Sequence, residues 1–154
     1  MIRVMFVCLG NICRSPMAEF VLKDMVKRHG MEDIFCIASS ALSSEELGNP
    51  VYPGTRNKLR QLGISCDGKY AVLLKRNDYE KYDYFLGMES RHVFSMQKLF
   101  GGDPQKKVMR LLDFSSNPRD IDDPWYTRDF DRTYLEIREG CECFLKEICA
   151  LKRI

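Results

Sequence analysis

Short apolar runs alternate along this chain with longer stretches in which apolar residues recur every three or four positions. The opening Met1-Ile-Arg-Val-Met-Phe-Val7 reads as a buried strand. Residues 16–29 carry Met17, Val21 and Met25 at helical spacing and stop near Gly30. A second strand is predicted over 34–38, a helix over 53–62 from Pro53 to Gly63, and a third strand over 84–88. A helix follows through about Leu99, then a turn at Gly101-Gly102-Asp103-Pro104 and a fourth strand over 108–114. Residues 130–151 place Phe130, Tyr134, Ile137, Cys141, Phe144, Ile148 and Leu151 on one stripe, the core face of a long terminal helix.

Strands alternating with helices predict an α/β fold, one domain over residues 1–154. Its four-stranded parallel sheet carries helices on both faces, a three-layer sandwich of flavodoxin/Rossmann-like form. In such sheets ligands bind beyond the carboxyl ends of the strands.

Composition narrows the setting. The 154 residues carry a net charge of +2 with both signs interspersed, which favours neither nucleic acid nor a membrane surface. The first residues resemble no signal or transit peptide, and no apolar segment is long enough to span a bilayer. Seven cysteines in no disulfide spacing suit a reducing cytoplasm. Cys141, Cys143 and Cys149 fall in the last helix pattern and only two histidines exist, so core or structural cysteines are expected and no metal or cofactor. Cys36 and Cys66 read as small apolar fillers.

The chemistry concentrates just after the first strand, at Cys8-Leu-Gly-Asn-Ile-Cys-Arg-Ser15, with Pro16 next. A cysteine and an arginine six positions apart on a strand-to-helix loop suit phosphate-ester chemistry. Loop amides and the helix N-terminus make a nest for a tetrahedral dianion. Arg14 clamps two of its oxygens through a planar fork. Cys8, at the floor of that positive nest, attacks as a thiolate. Gly10 and Asn11 suit positive φ, and Ser15 and Pro16 are good N-cap and N1 residues. Taken alone, Cys8 and Arg14 would read as a packed strand-end thiol and a surface cation; spacing and context argue otherwise. A leaving oxygen also needs an acid. Residues 115–126 form a proline-rich loop holding Asp120, Asp122 and Asp123, any of which could serve.

With Pro16 and Ala18-Glu19, this octet resembles the signature of the low-molecular-weight protein tyrosine phosphatases. The resemblance runs over nearly all of the chain, through Ser39-Ser40-Ala41, Gly48-Asn49-Pro50, Asp83-Tyr84, Met88-Glu89 and Asp123-Pro124-Trp125-Tyr126. It implies a metal-independent phosphatase working through a cysteinyl phosphate, with Asp123 as general acid. Asn11 would shape the loop, Ser15 would hydrogen-bond the thiolate, and Ser39 and Ser40 would brace Asn11. Cys13 would form a reversible disulfide with Cys8.

Leu9, Ile12, Trp125 and Tyr126 could then sandwich a phenyl ring, favouring phosphotyrosine proteins or small aryl phosphates. Leu9, Gly10, Asn11, Ile12, Cys13 and Ser15 would bind phosphate, sulfate or vanadate. The chain departs from the family pattern at Glu45, near a rim position often aromatic, at Lys69, often histidine, and at Glu89, often aspartate. The last two are expected to affect only scaffold hydrogen bonds. A thiol-dependent arsenate reductase is the enzymatic rival, but it needs relay cysteines, and none lies between Cys66 and Cys141. A phosphotyrosine-binding module would need no acid.

Overall fold

A computed structural model describes residues 1–154. Four strands, β1 (Ile2–Cys8), β2 (Phe35–Ala41), β3 (Tyr84–Gly87) and β4 (Val108–Arg110), form one parallel sheet in the order β2-β1-β3-β4. Around it lie α1 (Arg14–Arg28), α2 (Pro53–Gln61), α3 (Ser90–Phe100), the single turn α4 (Pro124–Thr127) and α5 (Phe130–Lys152). No helix is long and apolar enough to cross a membrane.

The central strand β1 explains both faces. Ile2, Val4, Phe6 and Cys8 point into a core built with Met17, Leu22, Ile137 and Phe144 of α1 and α5. The alternate residues Met5 and Val7 enter a second core with Phe85, Met96 and Phe100, closed by α3. Successive side chains of a strand point to opposite faces, so a near-continuous apolar run marks a strand covered on both sides. The chain leaves β1 for β2 on one flank and later returns to β3 on the other. The loop after β1 therefore sits at the topological switch point, where such sheets bind ligands.

Three expectations need correction. The fourth strand ends at Arg110, and Leu111–Phe114 is a 3₁₀ turn. Asp113 accepts from the Arg110 amide at 2.8 Å and from its guanidinium, which closes the turn and packs Leu111 and Leu112 inward under α5. The second strand runs on through Ser39-Ser40-Ala41, because these pair with Phe6, Val7 and Cys8 and their hydroxyls find partners. Cys36 is exposed, opposite the exposed Arg3 on an edge strand, whereas Cys66 is buried as expected. The Cys36 side chain alternates away from the face filled by Phe35 and Ile37.

Candidate active site

The loop from Cys8 to Arg14 curls around the end of β1 because Asn11 adopts φ 58°, a left-handed conformation that asparagine tolerates. Gly10 does not use positive φ, contrary to the sequence reading. Asn11 is 1% exposed and fully engaged. Its Nδ2 donates to Ser15 Oγ at 2.8 Å and Ser39 Oγ at 3.0 Å, and its Oδ1 accepts from the Val72 amide at 3.1 Å. The side chain thus replaces the backbone contacts that the bent loop forgoes. Ser39 is the brace; Ser40 donates to Met5 Sδ instead.

Ser15 is not the N-cap, and Pro16 is not N1. Helix α1 begins at Arg14, with Cys13 at the cap position and no capping side chain. Ser15 Oγ lies 3.0 Å from Cys8 Sγ while accepting from Asn11, which places its hydroxyl to donate to a Cys8 thiolate. The Asn11 amide donates to the same sulfur at 3.3 Å. The amides of Gly10, Ile12 and Cys13 donate to no backbone carbonyl. An uncapped helix start beside such amides is suited to an anion.

Behind this shell runs a buried polar chain. Ser39 Oγ donates to Glu19 Oε1 at 2.6 Å, and Lys69 Nζ donates to the Ser39 carbonyl at 2.8 Å, 3.7 Å from Glu19. Burial pushes the Lys69 ammonium below its usual range against the pull of Glu19. Lys69 is thus a scaffold residue, as expected.

Glu89 is not. Arg14 is 1% exposed and donates through Nη1 to Glu89 Oε2 at 2.6 Å and to the Ile121 carbonyl at 2.7 Å. Burial alone would raise the Glu89 carboxyl, but hydrogen bonds and charge from Arg14, aided by Arg91, hold it below its ordinary value. This carboxylate therefore touches the arginine of the cysteine loop directly.

Asp123 caps α4, accepting from the Trp125 amide at 3.0 Å, and its Oδ2 lies 3.4 Å from Arg14 Nη2. Among the three aspartates it alone lines the pocket. Asp122 is exposed, and Asp120 is spent on the Ser90 amide at 2.8 Å and on Arg110 at 3.1 Å. Cys8, Arg14 and Asp123 converge on one cavity of about 120 Å³. Leu9, Gly10, Ile12, Cys13, Trp125 and Tyr126 wall it, and Asn11 and Ser15 stand behind.

Sequence reasoning missed Ser43 and Glu46 on the rim, the contact of Glu89 with Arg14, the Ile121 carbonyl on the same guanidinium, and Tyr52 beneath Trp125. Proximity to Glu45 could have suggested Glu46; no local pattern marks the others.

Comparison with known proteins agrees with this geometry. A family model for low molecular weight phosphotyrosine protein phosphatase matches residues 3–153. The low molecular weight protein-tyrosine-phosphatase YfkJ of Bacillus subtilis is 37% identical, covering 100% of each chain. PtpA of Staphylococcus epidermidis is 34% identical over 92% of this chain and 90% of its own. The crystal structure of YfkJ superposes with a TM-score of 0.94 at 38% identity, covering 99% of this chain and 97% of that one. The SP-PTP phosphatase of Streptococcus pyogenes gives 0.85 at 38%, covering 96% and 93%. With a match across almost its whole length, the chain belongs to the low molecular weight phosphotyrosine protein phosphatase family.

Proposed function

We propose that this enzyme hydrolyses phosphotyrosine monoesters, in proteins or as small aryl phosphates, in the cytoplasm and without a metal. The observation that carries the reading is the convergence of Cys8, Arg14 and Asp123 on one small cavity, with the Asn11 amide and the Ser15 hydroxyl at hydrogen-bond distance from the sulfur.

Cys8 Sγ attacks phosphorus as a thiolate, forming an S–P bond as the P–O bond to the aryl group breaks. With Nη1 of Arg14 committed to Glu89 and Ile121, its Nε–Nη2 edge remains for two phosphate oxygens. Loop amides take the rest of the developing charge. Asp123, protonated, gives its proton to the departing phenolate. As a carboxylate it then takes a proton from water, whose oxygen attacks phosphorus and returns the thiolate and inorganic phosphate. The walls formed by Leu9, Ile12, Trp125 and Tyr126 suit a phenyl ring better than the shorter reach of phosphoserine.

The test is turnover of an aryl phosphate with excess chelator, with mass analysis of acid-quenched protein. Turnover untouched by chelation and a phosphate adduct on Cys8 are expected. Cys8→Ser should lose turnover but still bind vanadate, and Arg14→Lys should be crippled, because a point charge cannot reproduce the fork. Substantial activity in Cys8→Ser would overturn the covalent route, and stoichiometric binding without product would indicate a binding module.

A further inference from the structure

A second concavity, of about 490 Å³, opens on the other side of Leu9. Eight residues line it, five of them apolar, among them Leu9, Leu42, Leu73 and Leu99. Leu9 therefore walls both this cleft and the cavity that holds Cys8. It is 43% exposed, and Leu73 is 36% exposed, although each sits beside a packed core.

The cleft is a fixed feature of the fold. Its one bank is α3, seated on the sheet through Met96 and Phe100. The other is the segment after Tyr70, tied to the end of β2 by Ala41 N to Val72 O at 2.7 Å and Leu74 N to Ala41 O at 2.8 Å. These bonds turn Leu74 into the core and leave Leu73 facing out. Arg91 stands at the edge, but Glu89 engages its guanidinium at 3.0 Å. An occupant is thus chosen by apolar contact and not by negative charge.

We propose that this cleft is a substrate subsite for an apolar side chain flanking the phosphotyrosine of a protein substrate, which crosses Leu9 to reach it. The inference rests on the phosphotyrosine reading above. Continuity with the catalytic cavity through Leu9 argues for substrate. The volume lies within the roughly 300–1,000 Å³ typical of small-ligand sites, enough for a large apolar side chain.

The test is kcat/KM for phosphotyrosine peptides in which a single leucine or phenylalanine is moved through the flanking positions of a Gly/Ser background. 4-Nitrophenyl phosphate, too short to cross Leu9, serves as the control. Wild type should prefer peptides with the apolar residue at one or two positions by about 3–10-fold. Leu73→Asp, which charges the cleft, and Ser95→Trp, which fills it, should bring that preference toward unity. Both should keep activity on 4-nitrophenyl phosphate within about twofold. A flat wild-type profile with normal aryl phosphatase activity would overturn the subsite alone, as would a preference that survives both variants. Sedimentation showing a wild-type dimer that Leu73→Asp dissolves would reassign the cleft to self-association. A wild type unable to hydrolyse 4-nitrophenyl phosphate would instead remove the phosphatase reading, and the subsite with it.

Discussion

Arg128 donates through Nη1 to the Tyr52 hydroxyl at 2.6 Å and lies 5.3 Å over the Trp125 ring. Tyr52 meets Trp125 edge-on at 5.1 Å and stacks on Phe130 at 5.9 Å. Its backbone amide donates to the Ile12 carbonyl at 2.9 Å. One tyrosine thereby joins the cysteine loop to the loop that carries Asp123. Gly54 makes room for the stack, since a Cβ there would collide with the Phe130 ring.

This clamp should matter more for proton transfer than for stability. Arg128 sits at φ 59°, so Arg128→Gly removes the side chain without straining the backbone. An exposed cation–π contact is worth only about 0.5–1 kcal/mol, and the melting temperature should move little. Misplacing an acid can cost up to about 10²-fold. Hydrolysis of phenyl phosphate should therefore fall by about tenfold or more, and that of 4-nitrophenyl phosphate, whose leaving group needs little protonation, much less. Equal losses on both esters would show that the clamp does not position Asp123.

The clamp also marks the limit of sequence reading. The Cys8–Ser15 octet was legible because its function needs residues close in sequence, and the sheet because β1 is apolar at almost every position. Tyr52 and Arg128 are 76 positions apart, and the Arg14–Glu89 bond spans 75. Such pairs arise only when tertiary packing closes. The fourth strand failed for the opposite reason: a local Arg110–Asp113 closure overrode an apolar run.

Removal of Asp123, the proposed general acid, should be costlier. Asp123→Ala is expected to slow phenyl phosphate by about 10²–10⁴ and 4-nitrophenyl phosphate by less. Asp122→Ala, altering an exposed side chain, should leave both nearly unchanged. Asp120→Ala should lower the melting temperature, because it frees the Ser90 amide and Arg110. A leaving-group-dependent defect in Asp122→Ala and none in Asp123→Ala would shift the assignment by one residue.

Cys8 and Cys13 are both free thiols in the structure, and the disulfide proposed between them under peroxide should form in a strongly pH-dependent way. Burial first, then the negative charges of Cys8 and Asp123, push the Cys13 thiol up to about 12, although Arg14 and Thr55 pull the other way. Peroxide converts the Cys8 thiolate to sulfenic acid; attack by the Cys13 thiolate then forms the S–S bond and expels hydroxide. The reactive fraction of Cys13 grows about tenfold per pH unit below 12. Disulfide yield after brief peroxide should therefore climb from pH 7 to 9, and Cys13→Ser should worsen irreversible oxidation most at the alkaline end. A yield independent of pH, read by peptide mapping, would reject this account.

Stability should fall with acidification in a window set by His92. Its Nδ1 accepts from the Met88 and Glu89 amides at 3.2 and 3.1 Å, fixing the proton on Nε2. Burial, then the Arg14 charge, lower it from 6.5 to about 4 against Glu89 and Asp120, with Arg91 adding to the depression. The unfolded chain binds this proton below about 6.5, while the native state refuses it until about 4. Native stability is thus whole above the upper value and declines as pH falls toward the lower, by at most about 1.4 kcal/mol per unit. His92→Gln, keeping an acceptor but not the titration, should flatten the melting temperature between pH 6.5 and 4. Parallel wild-type and variant curves would show that other groups govern that range.

The rim carboxylates should bias the choice of peptide. Glu45 and Glu46 both line the catalytic cavity, but Glu46 is occupied by Asn49 Nδ2 at 2.6 Å, whereas Glu45 is exposed with its carboxylate in no hydrogen bond or ion pair. Glu45 is therefore the carboxylate available to flanking residues of a substrate. It repels acidic ones and attracts lysine or arginine, with exposed pairs worth about 0.2–1 kcal/mol each. The expected effect is a few-fold preference in kcat/KM for basic phosphotyrosine peptides, fading with added salt. Glu45→Gln should flatten the preference without touching small aryl phosphates. Glu46→Gln should change it less and loosen the Ser44–Asn49 turn instead, since its partner is internal. Identical peptide profiles for wild type and Glu45→Gln at low ionic strength would show Glu45 to be a solvated side chain with no part in recognition.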